Sequence, residues 1–259
     1  MTNVVFSVSI GNSPEYSLSQ QSWAKWCEKN DVELFILNQE IKPKEEMFYN
    51  YQRYYMFHLL ENSGIDYDGV LTVDSDTLIH PDAPNIFEMT SRDKLYMVRD
   101  TGSYDWIIRG LEFYSESLFP KSNLNVWDYC NSGFQLMGRK HKDFYDKMLE
   151  LWENNQQEII RLSETYGLGK EQALWNLMIE EHNIDYEILP YKWNMTHIHN
   201  RELLNLELLT KFGWVYHFNG LPGKESGSVH RLMEETHRYL TNENKFMDKI
   251  RCFKFQTCF

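Results

Sequence analysis

Two hydrophobic periods alternate along the first hundred residues. Val4 to Ile10 is a β-branched and aromatic run and predicts a strand. Ser17 to Lys29 sets Trp23, Trp26 and Cys27 on one helical face. Val32 to Asn38 predicts a second strand, Tyr49 to Leu60 returns to helical spacing, and Gly69 to Val73 and Leu95 to Arg99 predict a third and fourth strand. Strands alternating with helices imply an α/β sheet, parallel in its first half. The pattern then changes. Phe134 to Gly138 predicts a short strand, His141 to Thr165 a long amphipathic helix with Phe144, Met148, Trp152, Ile159 and Leu162 on one face, and Gly169 to Glu181 another helix. Tyr186 to Leu189 and Trp214 to Phe218 predict later strands, and the polar stretch from Glu225 a helix or arm. No repeat or Pro/Gly/Ser linker divides the chain.

The third strand ends in two aspartates, Asp74 and Asp76, one residue apart. Strand positions i and i+2 share a face, so the carboxylates crowd together and call for a cationic partner. Ligands of open α/β sheets lie at the carboxyl ends of strands, and such oxygens suit magnesium or manganese. A turn or helix cap accounts for the same residues without any metal. A haloacid-dehalogenase-type phosphatase motif is a third reading, but Thr77 falls one position too early for it.

Composition narrows the function class. The 259 residues carry a formal net charge of −12, which argues against nucleic acid as a partner. Aromatic residues reach 15%, a content that sugar- or base-stacking clefts share, but whose plainer reading is a core and surface well supplied with large side chains. Cys27, Cys130, Cys252 and Cys258 form no CxxC and fit no common zinc spacing, so reduced thiols are expected. The N-terminal stretch lacks the charged and apolar regions of a signal peptide, and no run approaches the ~18 apolar residues of a membrane span. A soluble, cytoplasmic protein is the expectation, with the sequon at Asn194 unused.

Five stretches in order match one pattern: VDSDTLIHPD, the Arg99-Asp100 pair, NSGFQLMGR from Asn131, KEQALWNLM from Lys170 and HFNGLPGK from His217. A weaker sixth is LPYKWN, Leu189 to Asn194. Together they resemble a GT-A-fold nucleotide-sugar glycosyltransferase, nearest family 8, the glycogenin and lipooligosaccharide galactosyltransferase type. The resemblance implies a single GT-A domain over residues 1–224, with a mixed, mainly parallel sheet flanked by helices. Residues 225–259 would form a helical arm packed on or near it.

The resemblance also implies roles. Asp74, Asp76 and His217 would hold manganese (or magnesium) on the donor diphosphate, a chemically sensible ligand set. Lys224 and Gly220 would meet the diphosphate, although one extra residue precedes the lysine here and Glu225-Ser226 follows it. Asn131, Ser132 and Gly133 would lie by the donor sugar, where an amide both donates and accepts. Asp100 would bond sugar hydroxyls, and Gln172 and Glu171 would flank the transferring sugar, with Glu standing where the family has Asp. Arg53 would reach the sugar or diphosphate. Ser9 and Tyr16 would border the nucleotide base, on fold position alone. The implied reaction moves a hexose, from UDP-glucose or UDP-galactose foremost, to a glycan or glycoconjugate with retention. Glu171 or Asp105 could instead serve as the base of an inverting enzyme. The competing functions are a phosphatase or nucleotidyltransferase using the aspartates, and a non-catalytic nucleotide-sugar-binding protein. His197 and His199 form an HxH with no third partner in sequence, read as surface or acceptor-side.

Overall fold

β1 (Thr2–Val8) carries Val4, Val5 and Phe6, all fully buried. Adjacent residues of a strand face opposite ways, so β1 is covered on both faces, as an inner strand of an α/β sheet requires. It pairs in parallel with β2 (Val32–Leu37), an edge strand whose middle residues are partly exposed. The computed structural model describes residues 1–198, 213–219 and 227–241.

Six strands make one sheet in the order β2-β1-β3-β6-β5-β7. β3 is Tyr67–Asp74, β5 Leu95–Arg99, β6 Cys130–Gly138 and β7 Tyr186–Leu189. β5 and β7 are parallel, whereas β6 runs antiparallel to both β3 and β5. The sheet is thus mixed and mainly parallel, flanked by helices, and the architecture is GT-A. Helix α1 is Pro14–Asn30, and α2 (Met56–Asn62) continues a 3-10 turn over Tyr49–Tyr55. α3 is Tyr104–Leu118, α4 Lys142–Tyr166, α5 Gln172–Glu181 and α6 Ser228–Leu240. α4 stops at Gly167, whose φ of 64° is the left-handed cap that glycine adopts without strain.

Element ends differ from the sequence expectation by a few residues throughout, and three departures bear on the site. β6 begins at Cys130, not Phe134, so Asn131, Ser132 and Gly133 belong to the strand itself. The helix expected over Tyr49 to Leu60 opens in 3-10 geometry. α3 was not anticipated, although Ile107, Gly110, Leu111 and Tyr114 are buried at helical spacing. Gly110 masked the pattern. A Cβ there would lie 3.2 Å from the Ala173 Cβ of α5, so the glycine permits close helix packing.

The chain groups into two compact units, each built from separate segments. The first comprises Met1–Gly11, Val32–Val73 and Asn85–Pro190 and holds the six-stranded sheet's core, including Val4, Phe6, Tyr54, Val70, Met137 and Trp175. The second comprises Asn12–Asp31, Asp74–Pro84 and Tyr191–Phe259. Its core joins Leu78, Met195, Tyr216, Phe218, Val229, Met233 and Leu240, and so includes α6. The boundary expected at residue 224 lies outside the described residues. Among the described residues no helix is long and apolar enough to cross a membrane.

Candidate functional site

In the second unit a two-stranded ribbon pairs β4 (Thr77–Ile79) with β8 (Val215–His217), antiparallel, with Thr77 opposite His217. That register brings the histidine to the aspartates. The turn between them closes with the Thr77 hydroxyl donating to the Asp74 carbonyl (2.6 Å) and the Phe218 amide to the Asp76 carbonyl (2.9 Å). Helix α1 fixes the other side of the ribbon. Trp23 Nε1 donates to Thr77 Oγ1 (3.0 Å), the Ser22 hydroxyl to the Ile79 carbonyl (3.0 Å), and Trp26 Nε1 to the Ala83 carbonyl (2.9 Å).

His217 Nε2 lies 3.4 Å from Asp74 Oδ2 and 3.2 Å from Asp76 Oδ1, and one ligand atom from each residue falls within 4.8 Å of the other two. The ring is 1% exposed, whereas the carboxylates reach solvent at 30% and 19%. Nε2 stands within ion-pair range of both carboxylates yet makes no well-aligned hydrogen bond. Burial disfavours the charged ring, but the negative charge of Asp76, and then of Asp74, outweighs it and pushes the His217 pKa up to about 10. On the far side, Nδ1 is 3.1 Å from Asn194 Oδ1. An Nδ1–H donated to Asn194 leaves Nε2 as the atom that faces the carboxylates, the arrangement second partners impose on metal-binding imidazoles. One imidazole and two carboxylates around an orphaned, buried nitrogen fit a divalent cation of the manganese or magnesium kind.

The first unit holds a cluster of buried amides and carboxylates. Gln172 opens α5, and its Nε2 donates to Asp100 Oδ2 (2.6 Å) while its Oε1 accepts from Asn131 Nδ2 (2.9 Å) and the Ser132 amide (3.2 Å). Asn131 Nδ2 also reaches Asp100 Oδ2 (3.3 Å), and Asn131 Oδ1 accepts from the Gly133 amide (3.0 Å). The pairing of β5 with β6 jumps from Met97–Gln135 to Val98–Asn131. This irregularity leaves Ser132, Gly133 and Phe134, the residues just after Asn131, without partners in the β5 ladder, as bulges beside sites do. Glu171, 3% exposed, accepts from Ser132 Oγ (2.7 Å) and from the Tyr54 hydroxyl. Arg53, also buried, donates to the carbonyls of Asn50 (3.0 Å) and Ser132 (2.6 Å). Asn176 clamps Cys130, donating to its carbonyl and accepting from its amide, both at 2.8 Å.

The structure therefore gathers Asp74, Asp76 and His217 in one place, and Asp100, Asn131, Ser132, Gly133, Glu171, Gln172 and Arg53 in another. Ser9 lies in the first unit, 3% exposed with a hydroxyl that meets no partner among the described residues, and the half-buried Tyr16 lies in the second. Gly220, Lys224, His199, Cys252 and Cys258 lie outside the described residues. His197 has a φ of 52°, and its amide donates to Asn219 Oδ1 (3.2 Å). Asp105 is exposed and paired with Arg109 (3.0 Å). Cys27 and Cys130 are buried free thiols, pushed up to about 12 by that burial. Sequence reasoning missed Asn194, Tyr54 and Asn176 as supports. Asn194 closes the LPYKWN stretch, so its signal was present without a role attached.

No protein-family model matches the sequence, and no curated protein matches it either. Solved structures do. A glycosyltransferase involved in glycosylating the major capsid of PBCV-1 superposes with a TM-score of 0.60 at 11% identity, covering 91% of this chain and 100% of that one. The glycosyltransferase GlyE of Streptococcus pneumoniae TIGR4 superposes with a TM-score of 0.50 at 14% identity, covering 94% of this chain and 63% of that one. At such identities the likeness shows the shared fold.

Proposed function

We propose that the protein is a metal-dependent glycosyltransferase that moves a hexose from a nucleotide diphosphate sugar, UDP-linked, to a glycan or glycoconjugate acceptor with retention. The observation that carries this reading is the Asp74–Asp76–His217 cluster on a GT-A frame. The family resemblance supplies the donor class and the stereochemistry.

Asp74, Asp76 and His217 would hold manganese or magnesium, with Asn194 keeping the imidazole turned. When bound, such a cation stabilises negative charge on a leaving diphosphate as a Lewis acid. Lys224 and Gly220 are assigned to the diphosphate, and Ser9 and Tyr16 to the nucleotide base. Asp100, Asn131 and Gly133 are assigned to the hydroxyls of the donor sugar, where paired donors and acceptors are needed. Gln172 is the catalytic candidate: its amide already exchanges hydrogen bonds with Asp100 and Asn131. Glu171 is better suited to positioning. Its two oxygens take hydroxyls from Ser132 and Tyr54, which fixes the segment that presents Gln172. Arg53 does the same through the Ser132 carbonyl.

A panel of nucleotide sugars with MnCl2, scored for hydrolysis and for donor-induced thermal shift, tests the proposal. The expected result is a response to UDP-glucose or UDP-galactose that chelation removes. No response to any donor, together with phosphate release from phosphomonoesters, would overturn it in favour of a phosphatase.

A further inference from the structure

Three large apolar side chains are exposed on the first unit. Trp127 is 61% exposed, Ile108 50% and Tyr104 47%. Tyr104 and Ile108 are one helical turn apart on α3 and share a face. The rings of Tyr104 and Trp127 meet edge to face, with centroids 5.3 Å apart and planes at 64°. An edge-to-face contact leaves ring faces uncovered. The 3-10 turn carrying Trp127 is held by Asn125, whose side chain accepts from the Trp127 amide (3.0 Å).

Both aromatics ride on segments that end in the amide cluster. Tyr104 follows Asp100 by four residues, and the Asp100 side chain accepts from the Gly102 amide (2.7 Å) to shape that loop. Trp127 precedes Asn131 by four, and the Asp100 amide donates to the Tyr129 carbonyl (3.1 Å), tying the two segments together. Four residues span at most about 14 Å. The aromatic pair therefore stands within about 14 Å of chain from both Asp100 and Asn131.

We propose that Trp127 and Tyr104 form a stacking platform for a pyranose ring of the acceptor, which rests on the glycosyltransferase reading above. A pyranose presents an apolar C–H face and a rim of hydroxyls. The platform offers the matching pattern: an aromatic face flanked by the Arg99–Asp128 ion pair (3.4 Å) and the Asp105–Arg109 pair (3.0 Å), which can exchange hydrogen bonds with hydroxyls. Other occupants fit less well. A stable second copy buries about 800 Å² per partner, far more than three side chains offer. An anionic membrane surface is disfavoured by a net charge of −12, because the flanking ion pairs balance to zero and add no basic patch.

The test uses the full chain with MgCl2 and five free oligosaccharides: lactose, maltotriose, cellotriose, xylotriose and chitotriose. Saturation-transfer NMR reads binding, and sedimentation reads assembly. The expected result is saturation transfer to ring C–H protons of at least one sugar. For that sugar, Trp127→Ala weakens binding tenfold or more at an unchanged melting temperature, Trp127→Phe keeps most of it, and in transfer assays the loss falls on acceptor KM. Failure of every sugar to bind, equal binding by Trp127→Ala, equal losses in the Phe and Ala variants, or a dimer that Trp127→Ala dissociates would each overturn the platform. The donor-induced thermal shift of the wild-type protein reports on the underlying glycosyltransferase reading, and the binding measurement needs no donor, so the two failures are told apart.

Discussion

Loading the Asp74–Asp76–His217 cluster should expel a proton. With its pKa pushed up to about 10, His217 is an imidazolium at neutral pH, and it fills the electrostatic place of a cation between the two carboxylates. A metal ligand must be neutral imidazole. Removing the proton at pH 7.5 costs roughly 3–4 kcal/mol, from ~1.4 kcal/mol for each pH unit below the pKa. Metal binding must offset that cost. Apparent affinity for Mn2+ should therefore rise about tenfold per pH unit between pH 6.5 and 8.5. Titration calorimetry at pH 7.5 in buffers of different ionisation enthalpy counts the protons released, and the expected count is near one. His217→Gln should bind more weakly and lose both the proton release and the pH slope. Zero protons released by the wild-type protein, or an affinity flat across that range, would refute the arrangement drawn here.

The same histidine sets a stability trend in the chelated protein. A group whose pKa is raised on folding stabilises fully below its unfolded value of about 6.5, and loses that contribution as pH rises towards about 10. Thermal melts in EDTA should fall over that window, and those of His217→Gln should fall less. Asp76→Ala should abolish the metal-induced thermal shift and any metal-dependent turnover. Persistence of either would remove Asp76 from the ligand set. Tyr54→Phe takes one hydroxyl from buried Glu171 and should cost about 1–3 kcal/mol in denaturant melts. It should also lower kcat more than it raises donor KM if Glu171 positions Gln172. Gly138→Ala should destabilise by about 1–3 kcal/mol, because a Cβ there strikes the Arg92 carbonyl oxygen.

The strands of the first half were legible because their apolar runs are short, continuous and β-branched, and β5 falls on the residues its sequence indicates. β6 was cut short for a physical reason. Asn131, Ser132 and Gly133 read as loop residues, yet the strand carries them because their polar groups are satisfied by Gln172, Glu171 and one another. β4 escaped notice because three residues set no period, and only its pairing with β8 defines it. The Asp74–Asp76–His217 cluster was singled out from residue type, order and the family resemblance, whereas Asn194 and Tyr54 act through geometry that no spacing reports. Residues with a single buried partner, such as Tyr54 on Glu171, look in sequence like any other aromatic core position.

The pairing of Thr77 with His217 also carries a consequence for biosynthesis. About 140 residues separate the aspartates from their histidine, which at ~5–20 residues per second is roughly 7–30 seconds of translation. Throughout that interval the nascent chain exposes two neighbouring carboxylates with neither imidazole nor ribbon partner. The β4–β8 ribbon can close only once β8 has been made, so it is the later strand that completes the Asp74–Asp76–His217 cluster. Divalent cation present at that moment would favour the closed ribbon by mass action. Metal supply would then act on the yield of folded chain as well as on turnover.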